Sequence, residues 1–123
     1  MDTKTQRGTI LFAHGSRDPL WRQPMEAVAE QVRRIAPEVQ VRCAYLELTT
    51  PDLLTSAAEL AELGVNTITI LPLFLGVGKH AREDLPQLVA ALQVSHPNIN
   101  FQLKPTIGED PQMIALMAQI AIS

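Results

Sequence analysis

Ile10-Leu11-Phe12-Ala13-His14-Gly15-Ser16-Arg17-Asp18 decides the fold. Four apolar residues in a row read as a strand buried on both faces. The run stops at a histidine, and glycine, serine, arginine and aspartate follow at once. Strand, tight turn and polar cluster are what an open α/β sheet places at the carboxyl ends of its strands, where such sheets bind ligands. Gly15 permits the sharp turn and a close backbone approach. Ser16 and Arg17 set a hydroxyl and a permanent cation beside His14.

Outward from that stretch, strand and helix patterns alternate four times. After the Asp18-Pro19 turn a helix is expected from about Arg22, with Pro24 in its first turn. Its apolar stripe is Met25, Val28, Val32 and Ile35, extended backward by Trp21, and Pro37 ends it. Val39, Val41 and Cys43 alternate with Gln40 and Arg42 as a half-exposed second strand. Thr50-Pro51-Asp52 reads as a helix start with Thr50 capping, Leu53, Ala57, Leu60 and Ala61 as the buried face, and Gly64 closing the helix.

A third apolar run over 67–73 leads through Pro72-Leu73-Phe74-Leu75 into a glycine-containing loop, Gly76-Val77-Gly78-Lys79-His80. Arg82, Glu83 and Asp84 then introduce a helix carrying Leu85, Leu88, Val89 and Leu92. Ile99, Phe101 and Leu103 alternate as a fourth strand, and Pro111 opens a last helix with Met113, Met117 and Ile120 on its core face.

This alternation implies a three-layer α/β domain, an open parallel sheet with helices on both faces and right-handed crossovers. Strands one and three are the most continuously apolar and so central, whereas two and four alternate and so lie outside. The expected order is 2-1-3-4, with the topological switch between strands one and three. That order brings the loop at His14 beside the loop at His80.

Length and composition bound the function. The 123 residues read as one domain over 1–123, with 1–7 a flexible N-terminus, large enough to bury roughly two-thirds of the unfolded surface. Aromatics are 4% against 46% hydrophobic residues, so the core is aliphatic. A net charge of −3 without a basic stripe argues against nucleic acid. The lone Cys43 excludes an intrachain disulfide and any multi-cysteine zinc site, and reads as a small core residue. No apolar run approaches the roughly 20 residues that span a bilayer, and the first residues lack a signal core. The expectation is a cytoplasmic protein without a membrane partner.

Two histidines on adjacent loops, with positions left open, suit a transiently held late first-row divalent ion better than a closed structural site. Arg17, Lys79 and Arg82 on the same loops favour a substrate with carboxylates. Glu47, in Tyr45-Leu46-Glu47-Leu48 after strand two, is placed to face the same cleft. Plainer readings are a solvated loop residue for His80, and a solvated acid or ion-pair partner for Glu47. His96, in a turn at the opposite end of the sheet, receives no role.

Three motifs in order carry a resemblance to a family: His14-Gly15-Ser16-Arg17-Asp18; Tyr45-Leu46-Glu47-Leu48 with Pro51; and Pro72-Leu73-Phe74-Leu75 leading to Gly78-Lys79-His80 and Arg82-Glu83-Asp84-Leu85-Pro86. From about Gly8 to Ile120 the chain resembles the short form of the sirohydrochlorin chelatases, among the class II tetrapyrrole chelatases. The resemblance implies ATP-independent insertion of a divalent metal, cobalt foremost with nickel or iron as alternatives, into sirohydrochlorin. The metal is then a substrate and no permanent cofactor is expected. His14 and His80 are implied as metal ligands and proton acceptors, with Ser16, Arg17, Lys79 and Arg82 on the substrate; Glu47 matches the family's cleft acid by position alone. Double-length members carry two such domains, which implies a homodimer here. A metal carrier using the same histidines is a second reading. A histidine-phosphatase type is a third, but that chemistry needs an arginine just before the histidine, where Ala13 stands.

Overall fold

A computed structural model describes residues 5–123. Strands β1 (Arg7–Ala13), β2 (Gln40–Tyr45), β3 (Thr67–Pro72) and β4 (Asn100–Leu103) form one parallel sheet in the order β2-β1-β3-β4, as the apolar patterning predicts. Helices α1 (Gln23–Ile35), α2 (Leu53–Glu62) and α3 (Lys79–Ser95) cross between consecutive strands; a short 3₁₀ turn (Ile107–Glu109) precedes α4 (Pro111–Ile122).

The sheet's two faces carry two cores. Ile10, Phe12, Ile68, Ile70 and Phe101 point into the larger one, beneath Leu53, Ala57 and Leu60 of α2 and Leu85 and Leu92 of α3. Leu11 and Val41 meet Ala29 of α1 on the other side. Ile10, Leu11 and Phe12 are all buried, so β1 is covered on both faces, which is why its sequence is an unbroken apolar run. β3 differs. Its buried residues alternate with half-buried Thr67, Thr69 and Leu71, which share α1's side of the sheet.

Several expectations are corrected. The structured chain begins earlier than residue 8. Gln6 accepts from the amides of Asn66 and Thr67 and donates its own to Asn66 Oδ1, and Arg7 opens β1; residues 1–4 of the expected flexible terminus lie outside the described residues. On α1, Ala29 is the buried residue, while Val28 and Ile35 face outward, because only the 25–29–32 edge reaches the sheet. The cap of α2 is Asp52 rather than Thr50: its Oδ1 accepts the Thr55 amide at 2.8 Å. The helix around His80 begins at Lys79, capped by Gly78 in an extended conformation, so His80 lies on the first turn of α3 and not in the preceding loop. Met113 and Met117 are half-buried and belong to neither core. Cys43 is half-buried, its Sγ 3.6 Å from the Met25 carbonyl oxygen, and burial raises its thiol pKa.

Asp52 supplies a stability test. The two hydrogen bonds from Thr55 hold its carboxyl below the ordinary carboxylate range. A folded-state pKa lower than the unfolded one adds stability that is present above the unfolded value and is lost as pH falls through the folded value. Asp52→Ala should lower stability by about 1 kcal/mol at neutral pH. Urea titrations should show the gap closing as the pH is taken below about 4.

Candidate metal and substrate site

The carboxyl end of β1 is held from both sides beyond the last strand residue. Ala13 and His14 carbonyls accept from the amides of Leu46 and Glu47 at 2.9 and 3.0 Å, and the Phe12 carbonyl accepts from Leu73 at 2.7 Å. Chain from β2 and from β3 therefore accompanies β1 to its tip, and His14 sits on a backbone with no freedom to drift. Gly15 makes this fit possible. Its φ is +102°, and a Cβ there would stand 1.7 Å from the Glu47 carbonyl oxygen. On the facing turn Leu48 takes a left-handed φ of 68°, uncommon for a residue with a branched side chain.

The His14 side chain is exposed, although the strand that carries it is buried. Its ring lies against Phe74, with centroids 4.3 Å apart and planes tilted by 39°. Phe74 is itself fixed: its ring meets Phe12 edge-on at 6.2 Å, and its carbonyl accepts from Thr106 Oγ1 at 2.6 Å and from Gly108 N–H at 2.9 Å. Gly108 has no room for a side chain, since a Cβ would come within 1.8 Å of the Leu75 carbonyl oxygen. One face of the imidazole thus rests on a pinned aromatic, and its nitrogens lie at the exposed strand end.

His80 reaches the same edge of the sheet by another route. β3 lies beside β1, and the 73–78 segment carries the chain from β3 into α3, whose second residue is His80. The first turn of α3 is unusual. Helix N-termini favour acids because the amide dipoles converge there as partial positive charge. Here the turn holds Lys79, His80 and Arg82 and no acid. The cations and the dipole add, and together they make a site for an anion. Inside the helix, Pro86 has no N–H to give the Arg82 carbonyl, so the first turn is held less tightly than the rest.

The other sequence-predicted residues fall on both flanks. Ser16 and Arg17 line a hollow of about 190 Å³ with Arg22 and Thr49; Arg22 donates to Thr49 Oγ1 at 3.3 Å and pairs with Glu26 at 3.5 Å. The Ser16 hydroxyl accepts the Asp18 amide at 3.1 Å, so it shapes the turn while its own proton stays free to donate. Glu47 is tied to His14 through the backbone, and its carboxylate is exposed. Arg82 lines a second hollow of about 180 Å³ with Lys104, Thr106 and Glu109. Among the described residues, Arg17, Lys79, Arg82 and Lys104 enter no ion pair. His96 caps the far end of α3 beside Phe101, away from the others. Among the described residues no three His, Cys, Asp or Glu side chains form a metal-sized cluster.

Sequence reasoning missed Phe74 as the support of His14, and Lys104 and Thr106 at the second hollow. Phe74 was visible as part of an apolar run but not as a neighbour of His14. Lys104 carried no signal beyond its place after the fourth strand.

The CbiX family model matches residues 8–122. The chain belongs to the CbiX family. It is 35% identical over 80 residues to the sirohydrochlorin cobaltochelatase of Methanopyrus kandleri, a stretch covering 65% of this chain and 56% of that protein. To the sirohydrochlorin cobaltochelatase of Sulfolobus acidocaldarius it is 26% identical over 114 residues, 93% of this chain and 89% of that one. Among solved structures, a putative cobalamin biosynthesis CbiX protein from Marinobacter aquaeolei superposes with a TM-score of 0.81 at 31% identity, with 94% of each chain covered. The sirohydrochlorin chelatase SirB of Bacillus subtilis, solved in complex with cobalt, gives 0.76 at 25% identity. The match takes in 94% of this CbiX-family chain but only 50% of SirB.

Gly15 tests the backbone fit at this site. Gly15→Ala combines a positive φ with a collision against a carbonyl, and so should destabilise the fold by about 3 kcal/mol. Thermal unfolding of the purified variant measures the loss. An unchanged midpoint would mean that the two turns do not interlock.

Proposed function

We infer that this CbiX-family chain inserts divalent cobalt into sirohydrochlorin without ATP, using His14 and His80. The observation that supports this reading is that two exposed histidines, His14 after β1 and His80 on the first turn of α3, stand on the carboxyl edge of a sheet in which β1 and β3 are neighbours. The cobaltochelatases among its relatives and the cobalt-bound SirB support it.

The chemistry follows from the side chains. Metallation exchanges two pyrrole N–H protons for one divalent ion, and the ion must also shed water. A neutral imidazole can serve both needs in turn. While its nitrogen lone pair binds the ion, it replaces a water ligand. When a macrocycle nitrogen takes over the metal, the freed lone pair accepts the proton that nitrogen has lost. Two imidazoles match two protons. A looser set than a closed four-ligand site suits an ion that must leave with the product. Glu47, tied to His14 through the backbone, is placed to take protons onward to solvent.

Substrate recognition is assigned to the cations. Arg17 with Ser16 on one flank, and Lys79 and Arg82 on the α3 turn, hold the carboxylates around the macrocycle rim, and Lys104 extends this second set. A flat macrocycle presents two faces, and one sheet edge covers only one of them. Sites of this kind bury most of their ligand. The functional unit is accordingly a homodimer with the substrate between the copies. The chain acts on a small molecule and is assigned no permanent cofactor, nucleic acid or membrane. Among the described residues no helix is long and apolar enough to cross a bilayer.

The decisive measurement is the absorbance change of sirohydrochlorin with Co²⁺, Ni²⁺ and Fe²⁺ in parallel. His14→Ala and His80→Ala should each cut the cobalt rate at least about 100-fold, the scale of general acid–base help, with unfolding unchanged. His96→Ala should do nothing. Metal binding without consumption of free tetrapyrrole would instead identify a carrier.

Salt separates the two binding roles. Arg17→Ala and Arg82→Ala should raise the KM for sirohydrochlorin several-fold while leaving cobalt affinity alone. Raising ionic strength should mimic them in the unmodified protein, because exposed pairs are screened within about 10 Å at 0.1 M salt. Parallel loss of cobalt affinity in either variant would move that arginine from substrate recognition to support of the metal site.

A further inference from the structure

Helix α4 is built like a buried helix and is not buried. Of its residues over 111–122 none is charged, and its polar side chains, Gln112 and Gln119, fall seven apart on one narrow strip. A helix apolar over the rest of its circumference belongs inside a protein. Yet no α4 residue is buried: Ile114 is 51% exposed, Leu116 47%, Ile120 64% and Ile122 87%. None of its side chains joins either core. Its packing is with the 3₁₀ turn at its base.

This is not a loose tail. Asp110 caps the helix through the Gln112 amide at 2.8 Å, and Pro111 stiffens its first position. The preceding turn is bound to the Phe74 carbonyl through Gly108. The base is therefore anchored beside the candidate site, and the direction of the arm is set. A free twelve-residue helix is marginal in water, so α4 needs a surface to lie on.

The sheet too has a surface left partly uncovered. α1 packs on β1 and β2, and on that same side Thr67, Thr69 and Leu71 of the central strand β3 remain half-buried, with Gln102 of β4 exposed. A parallel sheet is normally covered on both faces. The bare half is neutral, as α4 is, and combines Leu71 with two threonines and a glutamine.

We propose that α4 is exchanged between two copies of this chain, each helix lying across the β3–β4 half of its partner's sheet, on the side of α1. The proposal deepens the homodimer reading given above and rests on it. Area favours a second copy. A helix of twelve residues is about 18 Å long and can bury about 350 Å² along one side. Two helices and two receiving faces then approach about 1,400 Å², within the range of stable, specific interfaces. Chemistry disfavours a lipid surface, because membrane-lying helices carry lysine or arginine on their polar strip, whereas α4 offers two glutamines and begins beside Glu109 and Asp110. Exchange also places each copy's site next to the base of the arm that joins it to the other, which holds the two sites in a fixed relation across a two-fold axis.

Cross-linking between differently tagged chains tests the exchange itself. In a Cys43→Ser background, one chain carries Thr69→Cys and the other carries a single cysteine on α4, at Ile114, Leu116 or Ile120. The mixed chains are treated with a short bismaleimide. Exchange predicts a covalent heterodimer for at least one α4 position, at least tenfold above a control with Glu30→Cys on α1. A cross-link that forms only inside one chain carrying both cysteines would show the arm folded on its own sheet and overturn the proposal. So would an unmodified protein that sediments as a monomer at tens of micromolar. Leu116→Glu with Ile120→Glu should weaken the dimer about 100-fold while the circular dichroism and melting of the α/β core persist; a dimer unaffected by both charges would also overturn it. None of these readouts involves metallation. Should the protein bind cobalt without consuming sirohydrochlorin while the cross-link forms, the chelatase reading fails and the exchange stands.

Discussion

The candidate site depends on the end of β1. A buried parallel strand normally gives up its hydrogen-bonding partners where its neighbours stop. Here the neighbours do not stop: amides from Leu46, Glu47 and Leu73 bind the carbonyls of Ala13, His14 and Phe12. The strand tip is as well tied as its middle. That leaves an exposed imidazole on a backbone held from both sides, which suits the metal-exchange role proposed for it, since the side chain is free while its origin stays put. The cost is borne at two backbone positions, the left-handed Gly15 and the left-handed Leu48, whose turns fit backbone to backbone with no space for a Cβ at Gly15.

What could be read from the sequence follows from which physical signals are local. The order of the strands was legible because coverage on two faces leaves a continuous apolar run, as in Ile10-Leu11-Phe12-Ala13, whereas edge strands alternate. The expectation that the His14 and His80 segments share one edge of the sheet followed from that order. The start of α3 was not legible. Gly76 and Gly78 read as loop, and the basic residues that follow contradict the usual charge of a helix start. The helix forms there because Gly78 supplies an extended cap and the apolar stripe from Leu85 to Leu92 fixes the rest against the sheet. Local charge preference was overridden by the packing of the rest of the helix. The same holds for Phe74, whose role depends on a tertiary contact with His14 that no spacing encodes.

The last helix failed in an instructive way. Met113, Met117 and Ile120 make a good apolar stripe and read as core, yet no α4 residue is buried and none joins either core. Periodicity reports that a face must be covered; it does not report by what. α4 and the partly covered side of β3 are the two places among the described residues where that requirement is unmet.

Net charge and local charge point in opposite directions, and the binding role proposed for the cations rests on the local one. The chain carries −3 overall, which would repel a polycarboxylate at long range in the absence of salt. At physiological ionic strength the field of a distant charge fades within about 8 Å, so an approaching anion feels chiefly the groups at the rim it meets. On the α3 side these are Lys79, Arg82 and the convergent amides of a helix start, with Lys104 across the hollow and Glu109 as the opposing acid. On the other flank stands Arg17, with no carboxylate paired to it among the described residues. The unpaired state of these cations suits the substrate role proposed for them: an arginine already bound to a neighbouring acid must break that bond before it can take a substrate carboxylate. Holding them apart from acids destabilises the empty protein slightly and leaves their binding capacity for the ligand. The same reasoning explains the helix start. Acids at Lys79 and Arg82 would stabilise α3 in isolation, by a few tenths of a kcal/mol each, but would turn its N-terminus from an anion site into a repelling one.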